Sequence, residues 1–223
     1  MMELLDLRQP LDAFAACNDG DQVWASFGWV HATDGDPLQA RFWLPPDEET
    51  AFDDDGEVPE HARALGLSTY LEPATFAGVL EVQKRQRPLS TLQDYAQALA
   101  HYAEYDAFLE VDGIDATTGE ASATEQRQAR AAGVGPGIFA SFDLVLTACP
   151  DARIKVVAQQ VARLLEIPAG EALARCRALP LALGEQLDRR RAGAIATDFA
   201  RLDATLQVQG YRPFPWSAPP ALV

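Results

Sequence analysis

The residues able to do chemistry in this chain are few and scattered. Histidine stands at 31, 61 and 101 alone, with no HExxH pair and no Cys or Asp in catalytic spacing beside any of them. Each is expected to be structural or solvated. Ser26, Ser68 and Ser141 lack the GxSxG context of a nucleophile elbow. The GVGPG run (133–137) resembles a phosphate loop only in its glycines. It has no Lys-Ser/Thr and no preceding strand, and Pro136 removes a backbone donor. Cys149 precedes Pro150 in an expected loop, but no basic neighbour lowers its pKa, so it is read as inert. Asp53, Asp54 and Asp55 cluster before Gly56 without the alternate spacing and closing Glu of an EF-hand, so a solvated loop is expected there and no metal. No residue set points to a cofactor, and the chain is read as non-enzymatic.

Charge is the stronger signal. The 223 residues carry a net charge of −15. Residues 1–137 hold 25 Asp or Glu against 8 Lys or Arg, whereas 138–223 hold 8 against 10. Such asymmetry argues for two modules with different surfaces. An acidic field repels nucleic-acid phosphates and anionic membranes and attracts basic partners. The densest acids are Asp47, Glu48, Glu49, Asp53, Asp54, Asp55 and Glu57, which are therefore expected to contact a basic protein partner. Hydrophobic content of 48% and charged content of 23% are those of a folded protein. No apolar run approaches the roughly 18 residues a membrane helix requires. The N-terminus lacks the basic and apolar regions of a signal peptide. The odd, dispersed Cys17, Cys149 and Cys176 fit a reducing compartment, so a cytoplasmic location is expected.

These residues must be positioned by a mixed set of elements. A short helix containing Pro10 is expected to end at Asn18-Asp19-Gly20. QVWASFGWVHA (22–32) alternates as a strand, ATDGDP supplies a turn, and LQARFWL (38–44) returns, giving a hairpin rich in Trp24, Trp29, Phe42 and Trp43. The 47–61 segment reads as an acidic loop and 65–71 as a third strand. A helix over 73–86 puts Phe76, Val79, Leu80 and Gln83 on one face, with Lys84, Arg85 and Arg87 suiting its negative end. A second helix over 90–108 opens on Ser90 and Gln93 in capping-box spacing and leads into a strand at 107–111. Residues 112–137 read as a linker with a short helix at 124–131. The tail 211–220 either packs back through Phe214 and Trp216 or forms a polyproline-type ligand. The domain reading is an acidic module over 1–111, the linker, and a second module over 138–223.

The second module has its own pattern: strand FDLVL (142–146), helices at 155–166 and 170–179, a weak strand at 181–187, a helix at 190–203 and a strand at 204–209. With Lys155, Val156, Val161 and Arg163 in its first helix, this β-α-α-β-α-β order resembles the C-terminal domain of bacterial ribosomal stalk protein L7/L12. Gln160 replaces that family's middle lysine, and Ile167-Pro168-Ala169-Gly170-Glu171 lacks its lysines. The resemblance implies a fold and, through Lys155 and Arg163, a contact face, without implying a ribosomal role. The texture of 73–109 is similar to small bacterial domains of unassigned function, some found beside toxin genes. The expectation is an α+β protein of two modules that binds protein without catalysis, an immunity (antitoxin-type) protein neutralising a basic effector. The alternative is an adaptor docking a larger machine through its second module.

Overall fold

The structure is a computed structural model and describes residues 3–222, which divide into two compact units. The first runs to Phe139 and takes in Arg212–Ala218; the second holds Ala140–Tyr211 and residues 219–222. Both combine helices with a small antiparallel sheet, so the chain is α+β.

Helix α1 (Arg8–Ala15) buries Leu11 and Phe14 one turn apart, continuing the face begun by Leu7. The segment expected as one strand over 22–32 is split. Its first part is helix α2 (Gly20–Ser26), and only Val30–Thr33 forms strand β1. The cause is local: the Asp19 carboxylate accepts the Gln22 N–H at 2.8 Å, a helix cap that outweighs the alternation of Val23, Ala25 and Phe27. The hairpin survives with shorter arms. Strand β2 (Phe42–Trp43) pairs antiparallel with β1, placing His31 opposite Trp43. The expected acidic loop holds two single-turn helices, α3 (Glu48–Ala51) and α4 (Glu60–Arg63). Strand β3 (Leu67–Leu71) then pairs with the other edge of β1, giving the order β2-β1-β3.

Helices α5 (Pro73–Gln86) and α6 (Leu92–Tyr105) close this core through Phe76, Leu80, Tyr95 and Leu99. Phe14 meets Phe76 edge-on at 5.1 Å. The capping box lies one residue beyond the expected Ser90 and Gln93, on Thr91 and Asp94. Ser90 is needed inside: buried, it donates to the Arg87 carbonyl at 2.7 Å and accepts from Gln83 Nε2 at 2.9 Å.

Residues 107–111 do not form the expected strand, because a side chain supplies the pairing. The buried Gln86 amide donates to the Leu109 carbonyl at 2.9 Å and accepts the Val111 N–H at 2.7 Å. The stretch 112–137, expected as a linker, belongs to the first unit. Arg85 ties it down by donating to the carbonyls of Ala116, Thr117 and Gly119, and helix α7 (Ala123–Ala131) is boxed by Ser122 and Glu125. The tail packs back. Gly133 and Gly135 exchange backbone hydrogen bonds with Arg212, and Phe214 is fully buried between Tyr95 and Trp216 at centroid distances of 5.2 and 4.8 Å.

In the second unit, strand β4 (Ser141–Ala148) is followed by a 3-10 turn, helices α8 (Ile154–Leu165) and α9 (Ala169–Arg177), strand β5 (Leu181–Asp188), helix α10 (Arg189–Ala200) and strand β6 (Thr205–Tyr211). The expected β-α-α-β-α-β order is therefore present. β4 is central, antiparallel to both neighbours, in the order β5-β4-β6. Phe142, Leu144 and Leu146 pack with Val157, Val161, Ala172 and Phe199. On the opposite face of β4, the Asp143 carboxylate accepts from Tyr211 Oη at 2.7 Å and Gln186 N–H at 2.9 Å.

Candidate functional site: an acidic surface beside an aromatic cleft

Of the three histidines, packing buries only His31; His61 is exposed and His101 half-buried. His31 is fully buried, stacked on Trp43 at 5.2 Å and edge-on to Phe52 at 5.8 Å, and neither ring nitrogen has a hydrogen-bond partner. Burial lowers its pKa, with the nearby backbone of Ala51 and Ser68 working weakly the other way. His61 lies 5.5 Å from Trp43 and His101 4.8 Å from Tyr105. Burial raises the pKa of Cys17, Cys149 and Cys176, which disfavours the reactive thiolate at each. Of the GVGPG glycines, Gly133 and Gly135 are engaged with the backbone of Arg212 and Gly137 with Lys84.

The acidic segment is ordered by its own side chains. Asp47 is the N-cap of α3 and accepts the Thr50 N–H at 2.7 Å; Thr50, through its side chain and its amide, holds this carboxyl below the ordinary range. Glu48 and Glu49 stand exposed in the first turn. Asp53 Oδ1 accepts from the Asp55 and Glu57 N–H groups at 3.1 and 2.9 Å, so this aspartate shapes a turn. Among the described residues no group of three His, Cys, Asp or Glu is arranged to hold a metal ion. Asp54, Asp55 and Glu57 point to solvent. Eight carboxylates fall between 47 and 60, and among the described residues none forms an ion pair. Lys155 and Arg163 are exposed on α8, so the two predicted contact groups belong to different units.

Beside the acids lies a cleft of about 110 Å³ whose lining includes Trp24, Phe27, Trp29, Asp47, Glu48 and Pro73. Gly28 makes it possible. Its N–H donates to the Pro45 carbonyl at 2.9 Å, and a Cβ there would sit 2.1 Å from the Asp47 carbonyl oxygen. Only glycine lets the Trp24–Trp29 segment and the acidic segment approach this closely. Of the four aromatics expected in the hairpin, Phe42 and Trp43 are core, Trp29 is half-buried, and Trp24 is 53% exposed.

Lys84, expected to complement the negative end of the 73–86 helix, is wholly buried. Its Nζ donates to the carbonyls of Gly137, at 2.6 Å, and Pro213, and lies 5.6 Å from the centre of the Phe214 ring. Burial draws its pKa down to about 7. The signal was present in the spacing: Phe76, Leu80 and Lys84 form one i, i+4, i+8 row on α5. Its neighbour Arg87 is instead half-exposed. Arg87 pairs with Asp94 at 2.6 Å and Asp112 at 2.8 Å.

No helix among the described residues is long and apolar enough to cross a membrane. No curated protein and no solved structure matches the chain. Residues 38–111, about a third of its length, are similar to a family described as "Domain of unknown function (DUF7716)". That match spans the acidic segment and Lys84 but leaves Trp24 and Trp29 outside it.

Proposed function

We propose that the protein is a non-catalytic, cytoplasmic binder of basic protein, acting as an immunity (antitoxin-type) factor that occupies a cationic effector surface. The observation that carries this reading is the run of eight carboxylates at 47–60, none of them in an ion pair among the described residues. Uncompensated surface charge destabilises a fold through self-repulsion and is relieved when a cationic partner arrives. It also steers encounter, so capture is fast and salt-sensitive. The same field disfavours nucleic acid as a direct ligand. The test is capture from native lysate by the full chain and by a neutralised variant (Asp53→Asn, Asp54→Asn, Asp55→Asn, Glu57→Gln). The reading expects a basic protein held at low salt, released at high salt, and not held by the variant. Retention of the same partners by the variant would overturn it.

A second reading, an adaptor that docks a larger machine, draws on the second unit. Its β-α-α-β-α-β order supports the resemblance to the L7/L12 C-terminal domain, and α8 exposes Lys155, Val156 and Arg163 on the helix where that resemblance places a contact face. Under this reading Lys155→Glu with Arg163→Glu abolishes partner retention while the neutralised variant keeps it.

A further inference from the structure

The acids at 47–60 explain attraction but not selection, since any cation is drawn to them. The cleft beside them is more discriminating. Its walls are aromatic and largely fixed: Phe27 packs against Phe14 at 5.1 Å, Trp29 against Phe52 at 6.0 Å, and Pro73 is buried at the start of α5. Asp47 and Glu48 also line the cleft, and among the described residues the Glu48 carboxylate has no hydrogen bond or ion pair. Trp24, left open to solvent, makes up another wall.

We propose that this cleft receives one arginine side chain of the basic partner, its guanidinium lying on the Trp24 indole and hydrogen-bonding the carboxylates of Asp47 and Glu48. The proposal rests on the acidic-surface reading and adds the residue type that reading leaves open. Indole is the aromatic ring that attracts cations most strongly, and a guanidinium stacks on it while its N–H fork stays free for carboxylates. A lysine ammonium is a more strongly hydrated point charge and loses more on entering an aromatic slot. An anion is repelled by both carboxylates, and an apolar side chain would leave them desolvated without a partner. Buried aromatic–arginine contacts of this kind are frequent anchors of protein interfaces.

The experiment titrates the full chain with hexa-arginine and, separately, hexa-lysine at low salt, following the indole N–H signals of the four tryptophans by NMR. The expected result is binding of hexa-arginine about fivefold or more tighter than hexa-lysine, with the Trp24 and Trp29 signals moving and those of Trp43 and Trp216 still. Trp24→Ala and Glu48→Gln, both at exposed positions, each remove the preference and bring the two peptides to similar affinity. Equal affinity for both peptides, or an arginine preference unchanged in Trp24→Ala, overturns the arginine cleft. If that happens while the 53–57 neutralised variant loses both peptides, the acidic-surface reading stands without it. If neither peptide binds the wild type, the acidic-surface reading fails and the cleft with it.

Discussion

Lys84→Met replaces the buried amine by an apolar chain of similar length, and its effect on stability depends on pH in a way that follows from the geometry. In the unfolded chain the amine keeps its proton to about pH 10.4. In the folded chain burial brings the pKa to about 7. Two carbonyls accept from Nζ, and a neutral amine has two N–H groups to offer them; the third proton of the ammonium meets only the Phe214 ring face. Between these pKa values the unfolded state binds more protons, so wild-type stability rises with pH. Integrated from pH 7 to 9.5 the gain is about 3 kcal/mol, and the methionine variant lacks it. The upper limit stays below the range where the buried Tyr70 and Tyr95 act. Burial pushes both hydroxyls up, so their contribution is lost as pH rises above 10. Urea unfolding followed by tryptophan emission is the assay, because Trp24, Trp29, Trp43 and Trp216 all lie in the first unit and report its transition alone. The stability difference between wild type and Lys84→Met should shift by about 3 kcal/mol in favour of the wild type across this window. Parallel pH dependence in the two proteins would refute a buried Lys84 and the docking of the 212–218 tail around it.

Three further outcomes are expected. His31 has a folded pKa depressed by burial, so the stability its neutral form supports is present above pH 6.5 and lost as pH falls below it; His31→Phe should flatten that acid-side loss in the same urea assay. Gly28→Ala places a methyl 2.1 Å from the Asp47 carbonyl oxygen, so it should cost about 1–3 kcal/mol and shift Trp29 emission, whereas Gly20→Ala, with open space around it, should be near neutral. Phe214→Ala removes a fully buried ring that touches Tyr95 and Trp216; a loss of about 3–5 kcal/mol and faster proteolysis after Arg212 are expected, the latter read by mass spectrometry.

What was legible in the sequence depended on range. The second unit's elements follow from local periodicity, and each expected strand and helix over 142–209 is present. The helix over 73–86 was equally plain from its apolar face. Expectations failed where a single side chain outweighed the pattern: Asp19 capping a helix across an alternating stretch, Gln86 completing a strand's bonds, and Ser90 drawn into the core beside the helix it was expected to cap. Arg85 and Lys84 turned a composition that reads as linker and tail into packed structure, because their acceptors lie about 30 to 130 positions away along the chain. The acids at 47–57 were visible by type alone. The cleft was not, since it depends on Gly28 meeting Asp47 and on Trp24 turning outward where Trp43 turns inward.

The most direct test of the acidic surface is the salt dependence of affinity, measured by calorimetry between the purified full chain and the basic partner it retains. The account predicts an affinity that falls steeply with salt for the wild type, and a weaker affinity with a much shallower slope for the Asp53→Asn, Asp54→Asn, Asp55→Asn, Glu57→Gln variant. Equal affinities and equal slopes for the two proteins would contradict it.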